Sequence, residues 1–194
     1  MRELQQKIDF LREVDKLKQV YRRSFLMDGT RNENDAEHTW HISLMAVILI
    51  EYAEENIDLL KVIQMLLIHD IVEIDAGDTF AYDEIGYLDK EEREQEAADR
   101  IFGLLPESQK DRMIELWSEF EEQESNEAKY ASALDRMQPL LQNFYSKGSS
   151  WRPHGITKDQ VLKRNACIKE ASEELWEYVC KLVDESVELG YLGI

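Results

Sequence analysis

Leu4, Ile8, Leu11, Val14, Leu17, Val20 and Tyr21 recur at intervals of three and four, the spacing of one apolar helical face, and predict a first helix over residues 3–22. The run from Arg22 to Glu33 carries Asp28-Gly29 among polar residues and predicts a loop. Asn34 and Glu37 then stand at capping-box spacing, so a second helix is expected over about 35–55 with His38 in its first turn. From about 58 to 74, Leu59, Leu60, Val62, Ile63, Met65, Leu66, Leu67 and Ile68 form a nearly unbroken apolar run. As a helix it is apolar all round, which predicts a central, buried position. Asp75-Ala76-Gly77-Asp78 ends it. Further helices are expected over about 88–104, from Pro106 to about 122, over about 126–146 and over about 158–189, the last stopping at Gly190.

Composition agrees with this reading. Eight Gly and three Pro in 194 residues are few, about half the usual share of turn formers. No internal repeat, low-complexity tract or linker interrupts the chain, so one all-α domain, a helical bundle, is expected over residues 1–194. The 23 basic residues are outnumbered by 41 acidic ones, and a formal charge of −18 without a local basic patch argues against a nucleic-acid partner. The longest apolar stretch, Ile42 to Ile50, is interrupted by Ser43 and falls short of the roughly 18 residues a membrane span needs. The N-terminus has no apolar signal core. The expectation is a soluble cytoplasmic chain with no membrane partner. Cys167 and Cys180 fit neither a disulfide framework nor a metal-thiolate pattern.

The strongest chemical feature is His69-Asp70, at the end of the apolar third helix. An ionised Asp70 there carries a large desolvation cost that a divalent cation would offset. Glu73 lies three residues beyond Asp70 and four beyond His69, over the same helix edge as both. An ion needs further ligands from other segments, and His38 and Asp135, both on predicted helices, are the candidates. Pro139, four residues past Asp135, leaves the Asp135 carbonyl without its helical partner. His41 reads as a core or supporting residue. The segment Trp151-Arg152-Pro153-His154 reads either as a surface loop or as a lid.

The series His38…His69-Asp70…Asp135 resembles the HD-domain family of helical metal-dependent phosphohydrolases. The run His69-Asp70-Ile71-Val72-Glu73-Ile74-Asp75-Ala76-Gly77-Asp78 is similar to the H-D-x-x-E-x-x-x-G-D run of its 5′-deoxynucleotidase-like subgroup, as is Glu37-His38 upstream. The resemblance covers about residues 20–140, with the helix over about 158–189 lying outside it. It implies one divalent transition metal, Mn, Fe, Co, Ni or Zn, held by His38, His69, Asp70 and Asp135. It further implies that Glu73 and Asp78 handle the nucleophilic water and the leaving 5′-oxygen, in either assignment. Arg23, 15 residues before His38 as the subgroup's arginine is, would clamp the phosphate, with Arg22 as the alternative. The subgroup's arginine is followed by a tryptophan against the sugar, whereas this chain has Ser24 and then Phe25. Phe25 is the candidate for that place, and the choice between ribose and deoxyribose stays open. The activity implied is hydrolysis of nucleoside or deoxynucleoside 5′-monophosphates, in a homodimer. Another phosphate ester, or metal and nucleotide binding without catalysis, are the alternatives.

Overall fold

The computed structural model describes residues 1–53, 56–83 and 85–194. The elements are α1 (Arg2–Val14), β1 (Tyr21–Phe25), β2 (Asn32–Asn34), α2 (Asp35–Ile48), α3 (Leu59–Ile68), α4 (Glu73–Ala76), α5 (Lys90–Phe102), α6 (Glu107–Glu122), α7 (Asn126–Tyr145), α8 (Trp151–His154), α9 (Lys158–Asn165), α10 (Ile168–Ala171) and α11 (Glu173–Glu188). The fold is all-α, a helical bundle carrying one two-stranded antiparallel sheet.

The axis of the bundle is α7, against which α2, α3, α6, α10 and α11 pack. Ala128, Ala131 and Ala133 on α7 are fully buried, and their small side chains let neighbouring backbones come close while Leu134, Met137 and Leu140 fill the space between. The Ser125 side chain caps α7 by accepting the Ala128 N–H. Among the described residues no helix is long and apolar enough to cross a membrane.

Several local expectations need revision. The stretch read as a loop from Arg22 to Glu33 folds into a hairpin, with Tyr21 opposite Asn34 and Phe25 opposite Asn32. Polar side chains hid it, because this small sheet is held by backbone pairing and by Asn32 Nδ2 donating to the Arg22 carbonyl at 2.9 Å. The first helix stops at Val14 and continues as a 3₁₀ turn over Asp15–Gln19, while Leu4 and Leu11 of its apolar face remain exposed. The capping box forms as expected, Asn34 accepting from the Glu37 N–H at 3.0 Å and Glu37 from the Asn34 N–H at 3.2 Å. The helix it starts ends at Ile48, and the last two positions of the expected span, 54 and 55, lie outside the described residues.

The apolar third helix buries Val62, Met65, Leu66 and Ile68 but exposes Leu60 and Leu67, so it packs on one side rather than all round. It also breaks earlier than expected, passing at His69 into a 3₁₀ turn (His69–Val72) and then into α4. The long terminal helix is three helices. Asn165 turns its Nδ2 back onto the Val161 carbonyl at 2.8 Å, and Ser172 adopts an extended backbone from which its Oγ caps α11.

Candidate functional site

The capping box fixes the start of α2 and so the place of His38, which is completely buried. Opposite it, α7 carries Asp135, and the 3₁₀ turn after α3 carries His69 and Asp70. His38 Nε2 lies 3.0 Å from Asp135 Oδ1 and 3.9 Å from Asp70 Oδ2, while His69 Nε2 lies 3.0 Å from Asp70 Oδ1 and 3.7 Å from Asp135 Oδ1. Four side chains from three segments thus converge as the sequence suggested.

The outer ring nitrogens settle which inner atoms carry lone pairs. His69 Nδ1 faces the Leu66 carbonyl at 2.9 Å and His38 Nδ1 faces Gln138 Oε1 at 3.1 Å. Both partners only accept, so each Nδ1 carries a proton and each neutral ring turns its Nε2 lone pair inward. Among the described residues His69 Nε2 is buried without a hydrogen bond, because its 3.0 Å approach to Asp70 lacks hydrogen-bond alignment. Donor atoms about 2.1 Å from one ion stand about 3.0 Å apart at adjacent octahedral positions and about 3.4 Å apart at tetrahedral ones. The spacing and chemistry of His38, His69 and Asp135 therefore fit a divalent cation, and these three form one of two groups able to hold one among the described residues, with Asp70 beside them in the other.

Without a cation the same groups compete for protons. Burial and Arg22 push His38 down, but Asp135, Glu33 and Asp70 more than offset this and lift it to about 9. His69 is raised too, burial being outweighed by Asp70 and Asp135. Burial would raise Asp135, yet the two imidazoles hold it well below the usual carboxylate range. A metal ion must displace these protons to bind.

The second group, Asp35, Asp70 and Glu73, is wholly buried. It already has a counter-ion in Arg22, whose Nη1 donates to Asp70 Oδ2 at 2.7 Å and to Asp35 Oδ1 at 3.4 Å. Glu73 is pushed well above its ordinary value by burial and by Asp70 and Asp35, and its Oε2 has no hydrogen-bond partner among the described residues. Asp78 follows Gly77, whose φ of +76° and ψ of 149° suit glycine alone. Burial and Asp70 raise the Asp78 carboxyl, against opposing pulls from Arg22 and the Arg23 backbone N–H.

Asp78 and Asp135 open onto a cavity of about 90 Å³ lined also by Arg22, Arg23, Arg136, Phe80, Tyr82 and Trp151. Both candidate arginines reach this cavity, but they differ. Arg22 is tied to the carboxylates, while Arg23 is exposed, since neighbouring residues of β1 point to opposite faces. Phe25, two residues beyond Arg23 on β1, does not line the cavity. The aromatic lining comes instead from the loop after α4 and from Trp151, which is buried. Sequence reasoning missed Asp35, Glu33 and Gln138. Glu33 fell in the run read as a loop, and neither Asp35 nor Gln138 stands in a motif that would single it out.

A family model described as the HD domain matches residues 14–176. The chain is 33% identical over 136 residues to the 5′-deoxynucleotidase HDDC2 of Homo sapiens, which covers 70% of this chain and 65% of that one. It is 34% identical over 134 residues to the protein of that name from Mus musculus, covering 69% and 66%. The matches thus span just under two thirds of these relatives' length. A crystal structure of a protein titled a predicted metal-dependent phosphohydrolase, from Magnetospirillum magnetotacticum MS-1, superposes with a TM-score of 0.95 at 51% identity, covering 99% of this chain and 96% of that one. The PH0347 protein of Pyrococcus horikoshii OT3, at 22% identity, a TM-score of 0.67 and coverage of 94% and 99%, shares the fold. With that family model matched over residues 14–176, the chain belongs to the HD-domain family.

Proposed function

We propose that this chain is a metal-dependent phosphohydrolase that releases phosphate from nucleoside or deoxynucleoside 5′-monophosphates, using one divalent transition metal held by His38, His69, Asp70 and Asp135. The observation that carries the reading is the pair of inward imidazole Nε2 atoms facing two carboxylates, with His69 Nε2 buried and without a hydrogen bond among the described residues. The named activity of the human and mouse relatives supports the substrate class. A single ion is favoured because Arg22 already supplies positive charge to the Asp35, Asp70 and Glu73 group.

When bound, the cation polarises the phosphate and makes water more acidic. The side chains do the rest. Glu73 and Asp78, both with raised proton affinity, supply one acid and one base between them. Water attacks phosphorus, the bond to the 5′-oxygen breaks, and that oxygen takes up a proton while the water gives one up. Arg23, at the exposed side of the cavity, has a guanidinium fork without a partner among the described residues and open to phosphate oxygens, and Phe80, Tyr82 and Trp151 offer faces to the nucleoside.

The chain also works in our reading as a homodimer in the cytoplasm. Trp40, Leu44, Val47 and Ile48 on α2 are exposed and give an apolar face for a second copy. Two unpaired cysteines suit a reducing compartment. The test of substrate class is phosphate release from a panel of ribo- and deoxyribonucleoside 5′-monophosphates, with triphosphates and a phosphodiester alongside, in Mn²⁺ or Co²⁺. Release from the monophosphates is expected. Release only from the triphosphates or the diester would move the function to another ester.

A further inference from the structure

Gln138 is fully buried one turn beyond Asp135 on α7, and all its hydrogen-bonding points inward. Its Oε1 faces His38 Nδ1 at 3.1 Å, and its Nε2 donates to Glu33 Oε1 at 2.8 Å and lies 3.2 Å from His41 Nδ1. A buried polar side chain of this kind costs free energy to desolvate, so its partners have to offset that cost. The orientation of the amide is not free. Glu33, itself 2% exposed, can only accept, so the NH₂ end must face it and the carbonyl end must face His38. Glu33 Oε2 stands 3.6 Å from His38 Nδ1, too far for a hydrogen bond, which leaves Gln138 as the group that holds the Nδ1 side of the ring.

We infer that Gln138 is a positioning residue, locked by Glu33, that holds the proton of His38 on Nδ1 and so presents Nε2 to the metal. The inference rests on the metal reading proposed above. A ring nitrogen that ligates a metal is oriented by the bond its other nitrogen makes, and loss of such a partner typically weakens metal binding about 10–100-fold. Here the partner is a neutral amide whose polarity is set from behind by a carboxylate. Turned the other way, the amide would set N–H against N–H at His38 and oxygen against oxygen at Glu33.

The experiment compares wild type, Gln138→Met and Glu33→Gln by competition titration for Mn²⁺ or Zn²⁺. It adds long-range ¹H–¹⁵N spectra of the Zn²⁺-loaded proteins, which report directly on which His38 nitrogen bears the proton. Gln138→Met is expected to raise the metal dissociation constant about 10–100-fold and to lose the slowly exchanging His38 Nδ1–H signal. Glu33→Gln, which lets the amide turn, is expected to move both readouts in the same direction by less. Wild-type affinity in Gln138→Met overturns the inference. If that variant does not fold, unchanged affinity and an unchanged Nδ1–H signal in Glu33→Gln overturn it. A wild-type chain that takes up neither ion overturns the metal reading and this inference with it, whereas uptake equal in all three proteins overturns the inference alone.

Discussion

Replacing Arg22 by Met removes the positive charge at the centre of the buried carboxylates while keeping most of the side chain's volume. Asp35 is 0% exposed, and burial together with Asp70 pushes its carboxyl up to about 7 even with Arg22 in place. Against an ordinary value of 3.8, ionising Asp35 inside the fold costs about 4 kcal/mol more than in the unfolded chain. Removing one partner of a buried ion pair typically costs about 3–5 kcal/mol. In a chain of 194 residues each kcal/mol is worth about 2–4 °C, so Arg22→Met should melt about 6–20 °C lower at pH 8 in EDTA. The sign of the pH effect follows from the raised carboxyls. Between about pH 4 and 7 the folded chain binds more protons at Asp35 and Glu73 than the unfolded chain does, so stability falls as pH rises through this window. Without the guanidinium these carboxyls keep their protons to higher pH, so the variant should go on losing stability above about pH 7, where Asp35 of the wild type has ionised, and its deficit should be smaller at pH 5 than at pH 8. Urea unfolding of both proteins at pH 5 and pH 8 in EDTA measures this. A deficit equal at the two pH values, or below about 1 kcal/mol at pH 8, would refute the reasoning.

Asp70→Ala should abolish both metal uptake and phosphate release, whereas Glu73→Gln should keep the metal and lose about 10²–10⁴-fold in kcat; metal analysis beside steady-state kinetics separates the two, and equal metal loss in both would remove the proton-transfer role given to Glu73. Gly77→Ala should cost about 1–3 kcal/mol, because φ of +76° with ψ of 149° is closed to a side chain, and it should lower kcat by displacing Asp78. Leu66→Ala, at a site with 0% exposure between α3 and its neighbours, should cost about 2–5 kcal/mol by urea unfolding while leaving metal stoichiometry unchanged.

Much of this was legible where one residue type has one physical reason to be where it is. Asn34 and Glu37 announced the start of α2, and His69-Asp70 on an apolar helix could be read as a charge needing a cation. His38 and Asp135 were then found as distant partners, and the structure brings both to the doublet. The hairpin from Tyr21 to Asn34 was not legible, because its strands are polar and short and backbone pairing leaves no trace in the pattern. Nor was the break at His69, where the chain tightens into a 3₁₀ turn without a Gly or Pro to mark it. The different settings of Arg22 and Arg23 depend on strand alternation, and so were not legible while the segment was read as a loop. Asp35, Glu33 and Gln138 owe their meaning to tertiary neighbours up to 105 residues away, which no local spacing encodes.

The most direct test titrates Mn²⁺ into the metal-stripped protein and follows phosphate release from a deoxynucleoside 5′-monophosphate, with Asp135→Ala in parallel. Release that rises with added ion and levels off at one equivalent per chain, and is absent from the variant, is the expected result. Release that persists in EDTA, or that Asp135→Ala retains at wild-type level, would contradict the assignment of His38, His69, Asp70 and Asp135 as the metal centre.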